Sequence, residues 1–164
     1  MTGTILQINV SPGGMPKRAI AEGRLTMAGF QGDSWAHPQF HGGRDKAVLL
    51  IANEAVEALR AKGYPVYPGA LGENLTTVGL DPARWRVGQQ FVAGEAVVEL
   101  TEIRTPCNSL NVYGPAIKKE IYDRAVKLGD ASSPKWALSG FYARVVREGL
   151  VFPGNIISLL SELA

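Results

Sequence analysis

The sequence predicts an α+β domain that is mainly β, with a closed or strongly curved sheet and a few peripheral helices. Three observations carry this. Nineteen glycines and ten prolines cut the chain into short runs rich in Val, Ile, Leu, Thr and Phe, the pattern of many short strands. Only two longer stretches show helical periodicity. Short antiparallel strands in such number must hide their edges, which closure or strong curvature achieves.

The expected strands are Gly3–Val10, Arg24–Phe30, Ala47–Ala52, Asn74–Val78, Gln90–Val92, Ala96–Ile103, Phe141–Arg147 and Ile156–Leu160. Ala93-Gly94 reads as a hairpin turn and Pro153-Gly154 as a second turn. A first helix is expected after Asn53 as N-cap, with Glu54 and Glu57 early, Arg60 and Lys62 late, and Gly63 at its end, charges that complement the helix dipole. A second is expected from Pro115 to Leu128, with Ile117, Ile121, Ala125 and Leu128 as its apolar stripe and Gly129 as its stop. A shorter helix is expected near Pro134–Leu138.

Length and composition set outer bounds. The 164 residues fit one domain and can bury a core without disulfide or metal staples. With 46 % apolar and 20 % charged residues the balance is that of an ordinary globular chain. A net charge of +2 with no long basic run argues against nucleic acid as a partner. One cysteine allows no internal disulfide and agrees with a reducing compartment. MTGTILQINV lacks the basic segment and apolar run of a signal peptide, and no stretch approaches a membrane span. The chain therefore reads as cytoplasmic, with no membrane partner.

Four clusters could carry chemistry. Cys107 follows the long expected strand Ala96–Ile103, in Arg104-Thr105-Pro106-Cys107-Asn108-Ser109. A strand end presents a side chain to a cleft, and Arg104 and nearby turn N–H groups favour a thiolate. A thiolate can attack sulfur, carry a persulfide or ligate a soft metal. The alternative is a buried structural cysteine, a common fate of free thiols.

The second cluster, His37-Pro38-Gln39-Phe40-His41-Gly42-Gly43-Arg44-Asp45-Lys46, places two adjacent glycines where a ligand can approach the backbone or a phosphate can meet N–H groups. It reads equally as a surface turn. With no second cysteine and no HExxH or CxxC pattern, His37, His41 and Cys107 do not make a zinc set.

In the third, Gly69-Ala70-Leu71-Gly72-Glu73-Asn74-Leu75, Glu73 can accept hydrogen bonds from an amine or a purine-like edge, and Asn74 can donate and accept. Asn74 could instead close its own turn. In the fourth, Ser11–Arg18, Lys17 and Arg18 could hold a phosphate or form a solvated basic loop. Gly32-Asp33 adds an acidic candidate or another turn. GxxxxGK[ST], GxGxxG and GxSxG are all absent, so neither a P-loop, a dinucleotide site nor a nucleophile elbow is indicated.

In their order, these clusters resemble the MOSC family, named for the C-terminal domain of molybdenum-cofactor sulfurase. The resemblance runs through Lys17, Gly32-Asp33, His41-Gly42-Gly43 with Asp45-Lys46-Ala47, Gly72-Glu73-Asn74-Leu75 with Gly79-Leu80, Val87-Gly88, and Arg104-Thr105-Pro106-Cys107. It implies a single MOSC domain over residues 1–164 with a β-barrel-like core and a few peripheral helices. It also implies molybdenum cofactor (molybdopterin), held tightly or transiently, with Cys107 as metal ligand. The residues expected to hold it are Lys17, His41, Gly42, Gly43, Glu73, Asn74 and Arg104. The implied activity is reduction of N-hydroxylated compounds. The alternative is a persulfide sulfur carrier, or a cofactor-binding module without turnover. No N-terminal β-barrel domain of the amidoxime-reducing type and no ferredoxin or sulfurase domain is recognisable here. Electrons or sulfur are therefore expected from a separate reductase or sulfur donor.

Overall fold

The computed structural model describes residues 1–34 and 43–160. Among them are eleven strands: β1 (Thr2–Val10), β2 (Arg18–Ile20), β3 (Gly23–Thr26), β4 (Gly29–Phe30), β5 (Val48–Ala52), β6 (Leu75–Val78), β7 (Gln90–Ala93), β8 (Ala96–Ile103), β9 (Phe141–Arg147), β10 (Gly149–Val151) and β11 (Ile156–Leu159). Three short helices, α1 (Asn53–Ala61), α2 (Ile117–Ile121) and α3 (Arg124–Lys127), lie between them.

Seven strands form a ring in the order β11-β7-β8-β9-β5-β6-β1, closed because β1 also pairs with β11. Thr2 opposes Ser158 and Thr4 opposes Ile156 at the closure. Every pairing in the ring is antiparallel except β5 with β6. The fold is thus the mainly β barrel with few helices that the sequence leads one to expect. Closure leaves the ring no open edge. Register shifts fall between Ile5 and Gln7 in β1, and between Val97 and Val98 and between Leu100 and Glu102 in β8, and such irregularities bend a strand and increase its twist. β2 hangs on the far half of β1, and β10-β3-β4 form a small separate sheet.

Strand β5 is buried along its whole length. Val48, Leu50 and Ala52 point into the barrel core with Ile5, Leu75 and Phe141. Leu49 and Ile51 point the other way, into a second cluster with Val56 and Leu59 of α1 and Ile117 and Ile121 of α2. A strand buried on both faces shows no polar alternation, which explains the unbroken run from Ala47 to Ala52.

Several local expectations need correction. Asn53 does not cap α1: Ala52 takes that position and Asn53 is already helical. The helix leaves directly from a buried strand, so no turn residue intervenes. Gly63 does end it, at φ 92°. Arg24–Phe30 is a hairpin and not one strand. Leu25 pairs with Phe30, and the Thr26 hydroxyl accepts from Ala28 N–H at 3.2 Å and donates to Gly29 O at 2.9 Å.

The expected helix from Pro115 to Leu128 is broken. Tyr122 is extended at φ −155°, and the Asp123 carboxylate accepts from Val126 N–H at 2.8 Å, starting α3 afresh. The new start turns the buried face, so Val126 is 1 % exposed and Leu128 73 %. Pro134–Leu138 forms successive turns and not a helix. No helix among the described residues is long and apolar enough to cross a membrane.

Candidate active site around Cys107

The chain around Cys107 is fixed on both sides and open in the middle. Strand pairing persists just past β8: Arg104 N–H donates to Gly140 O at 2.9 Å and the Ser139 hydroxyl donates to Arg104 O at 2.7 Å. Thr105-Pro106 then leaves the sheet, because proline has no N–H for the ladder and holds its predecessor extended. Cys107 takes the cap position of a 3₁₀ turn, Asn108–Tyr113, anchored by the fully buried Leu110. Cys107 itself remains partly exposed.

It opens on a cavity of about 630 Å³, counting the solvent at its mouth. Cys107, Arg104, Ser109, Lys17, Asn74 and Tyr142 supply its polar lining, and Met15, Leu49 and Leu71 its apolar walls. Burial is the largest influence on the thiol and opposes ionisation. The Ser109 hydroxyl and N–H, the Arg104 charge and Cys107's own N–H together outweigh it, so its pKa lies below the ordinary value. The thiol makes no cap hydrogen bond as it stands; the stabilisation belongs to the thiolate.

Alkylation provides the check. The rate with iodoacetamide should reach half its plateau at a lower pH in the native protein than in the urea-unfolded chain. Arg104→Gln should move that midpoint up. A native midpoint at or above the unfolded one would mean that burial dominates.

Arg104 is only 5 % exposed, and its Nη1 finds no hydrogen-bond partner among the described residues. Lys17 is placed differently from expectation. Its Nζ meets both Asp33 oxygens, at 2.5 and 2.7 Å, and the side chains are 6 % and 2 % exposed. The same carboxylate accepts from Asn74 Nδ2 at 2.8 Å and from Ser11 N–H at 2.9 Å. Asn74 also donates to Asn9 O at 3.1 Å and accepts from Leu49 N–H at 3.1 Å. Its amide therefore ties β1 to β5 as it lines the wall. Lys46 sits over the Tyr142 ring, 5.3 Å from its centre, and 3.3 Å from Glu102.

Glu73 is not on the cavity surface. It is fully buried behind the wall, where Oε1 accepts from Gly69 N–H at 2.6 Å and from the Thr76 hydroxyl at 2.9 Å. Gly69, at φ 94°, lies where an added Cβ would strike Lys17 O. Lys17 N–H donates to Gly69 O at 2.9 Å, so this turn joins the early basic loop to the wall.

Burial, opposed mainly by the Gly69 N–H, raises the Glu73 pKa above its usual 4.5. A raised value means that stability is lost as pH climbs from 4.5 through the folded value. Glu73→Gln carries no such loss. Its Tm advantage over wild type should therefore widen with rising pH across that window; a gap constant with pH would contradict this.

The fold thus brings Lys17, Asn74, Arg104 and Cys107 to one cavity. Gly43 does not line it; it precedes the 3₁₀ turn Arg44–Lys46, at φ 82°. His37, His41 and Gly42 lie outside the described residues. Arg18 sits exposed on β2, away from the lining. Sequence reasoning did not single out Ser109, Tyr142, Lys46 or Leu49 as lining residues. Ser109 had a signal, two residues beyond a cap position. Tyr142 had none, because only β9 pairing with β5 and β8 brings it there.

Comparison with known proteins adds the following. The MOSC domain family model matches residues 37–158. YflK of Bacillus subtilis (strain 168) is 34 % identical over 154 residues, covering 93 % of this chain and 65 % of that protein. YiiM of Escherichia coli (strain K12) is 35 % identical over 170 residues, covering 96 % of this chain and 70 % of that protein. The chain therefore spans about two thirds of these relatives' length. The crystal structure of YiiM from Geobacillus stearothermophilus has a TM-score of 0.69 at 28 % identity, over 97 % of this chain and 75 % of that one.

Proposed function

The chain belongs to the MOSC domain family, and from that premise we propose that its Cys107 cavity holds molybdenum cofactor (molybdopterin) and that the protein reduces N-hydroxylated compounds. A separate reductase would supply the electrons. One observation carries the reading: a thiol biased towards thiolate and a buried guanidinium, whose Nη1 has no hydrogen-bond partner among the described residues, line the same cavity.

The residues present fit such a group. A thiolate is a ligand for soft metal centres. A guanidinium with an unsatisfied N–H suits a phosphate or another anionic group. Leu49, Leu71 and the Tyr142 ring offer apolar contact along the walls. Cys107 would ligate the metal and Arg104 would meet anionic charge. Lys17 and Asn74 would hold the wall through Asp33. Glu73 would act only from behind, through its charge on Arg104.

When bound, the cofactor supplies the redox chemistry. The protein's own part is to keep Cys107 deprotonated through Ser109 and Arg104, to orient the ligand against the apolar walls and to limit water there. A thiol that must stay reduced points to the cytoplasm.

Wild type and Cys107→Ser, both purified from a host that makes molybdopterin, should differ in metal. Wild type is expected to retain molybdenum and pterin, and the variant to lose the molybdenum. Equal molybdenum in both rules out the ligand role.

The partial exposure of Cys107 supports a second reading, a persulfide carrier, because a carrier thiol must meet both donor and acceptor. A gain of one sulfur atom on Cys107, removed by reductant, is its signature.

A further inference from the structure

We propose that the Cys107 cavity loads sulfur from anionic sulfane-sulfur donors of the thiosulfate class, with Arg104 holding the donor's oxyanion end. This deepens the persulfide reading and rests on it.

The argument starts from Arg104. It is 5 % exposed, lines the cavity, and its Nη1 has no hydrogen-bond partner among the described residues. A buried charged donor without a partner is costly, so the site favours a guest that supplies an acceptor. No carboxylate forms an ion pair with Arg104 among the described residues: Asp33 is held by Lys17 and Asn74, Glu102 by Lys46, and Glu73 Oε1 by Gly69 and Thr76, with Glu73 acting on Arg104 only through longer-range charge. Arg104 is therefore available to a ligand. A guanidinium fork matches two oxygens of a sulfonate group.

Cys107 lines the same cavity and is itself partly exposed. A thiosulfate-class donor has both features this pair selects, an oxyanion at one end and an electrophilic sulfur at the other. The Cys107 thiolate attacks the outer sulfur. A bond forms between Sγ and that sulfur as the bond between the donor's two sulfurs breaks. The electron pair of the broken bond leaves with sulfite, and the transferred sulfur stays as a cysteine persulfide. No separate oxidant or reductant enters the balance. Arg104 holds the sulfonate oxygens throughout, which become those of the leaving sulfite.

The test uses the full chain with thiosulfate, followed by intact mass and by thiocyanate released with cyanide. Iodoacetamide serves as a neutral measure of thiol access, and polysulfide as a strong donor that tests the carrier reading itself. Thiosulfate should add one sulfur to Cys107, and inorganic sulfate should slow that step without slowing alkylation. In Arg104→Gln the ratio of thiosulfate loading to alkylation should fall about tenfold or more, the change expected when one charged hydrogen-bond partner is lost. Arg104→Lys should restore part of it. Loading by polysulfide but not by thiosulfate overturns the donor class and leaves the carrier reading standing. Loading by neither overturns both. Thiosulfate loading that ignores sulfate, or a ratio unchanged in Arg104→Gln, overturns the role of Arg104. Should Arg104→Gln fail to fold, sulfate competition on wild type decides.

Discussion

Asp33→Ala is expected to destabilise the protein by about 3–5 kcal/mol, the cost of leaving a buried charge unpaired. The Lys17 side chain is 6 % exposed, so the ammonium cannot turn to water when its carboxylate goes. The same substitution strips an acceptor from Asn74 Nδ2 and from Ser11 N–H. Urea unfolding of the two proteins measures the difference. The double variant Lys17→Met with Asp33→Leu should recover part of the loss, since apolar residues can replace a buried pair. Recovery should stay incomplete because Asn74 and Ser11 still lack their acceptor. A loss below about 1 kcal/mol for Asp33→Ala would place this pair with exposed salt bridges, and its role in holding the cavity wall would fail with it.

Phe141→Ala should cost about 3–5 kcal/mol through lost apolar contact and the cavity left behind. Phe141 is fully buried and packs edge-on against two tryptophans. Its ring centre lies 6.2 Å from that of Trp85 and 5.9 Å from that of Trp136. It also opposes Leu50 of β5 and Ile103 of β8, the pairings that carry Tyr142 and Arg104 to the cavity. Phe141→Leu should lose much less, since it keeps most of the volume. Tm and denaturant midpoint check both. If alanine and leucine behaved alike, close packing at this point would not matter to the barrel.

The two variants separate the layers of the molecule. Asp33 ties together segments that line the cavity, the first basic loop and the Asn74 turn. Phe141 locks the strands beneath. A fall in Cys107 reactivity should accompany either variant only as far as Arg104 and Ser109 are displaced from the thiol.

Much of this was legible along the chain. Strand β8 was visible in the run Ala96–Ile103, and the turn at Pro153-Gly154 in its residue pair. Such features are local: a glycine that must adopt positive φ, or a proline that ends a ladder, acts within a few residues. The position of Cys107, just beyond a strand and a proline, belongs to the same class. What misled was also local. The apolar spacing from Ile117 to Leu128 suits one helix, but the Asp123 side chain captures Val126 N–H and restarts it. The hairpin hidden in Arg24–Phe30 turned on Gly29, whose backbone lies at φ 107°.

The sequence by itself determined a mainly β chain, a lone thiol after Pro106 with Arg104 three residues before it, and glycines at the turns. Each depends on chemistry carried by neighbours in the chain. Only the tertiary structure decided that β1 would meet β11 and close the ring, that Lys17 would spend its charge on Asp33, that Glu73 would withdraw behind the wall and that Tyr142 would join the lining. These are contacts between residues far apart in sequence. Their energy is realised only when the whole sheet is paired, so no short stretch of chain can encode them alone.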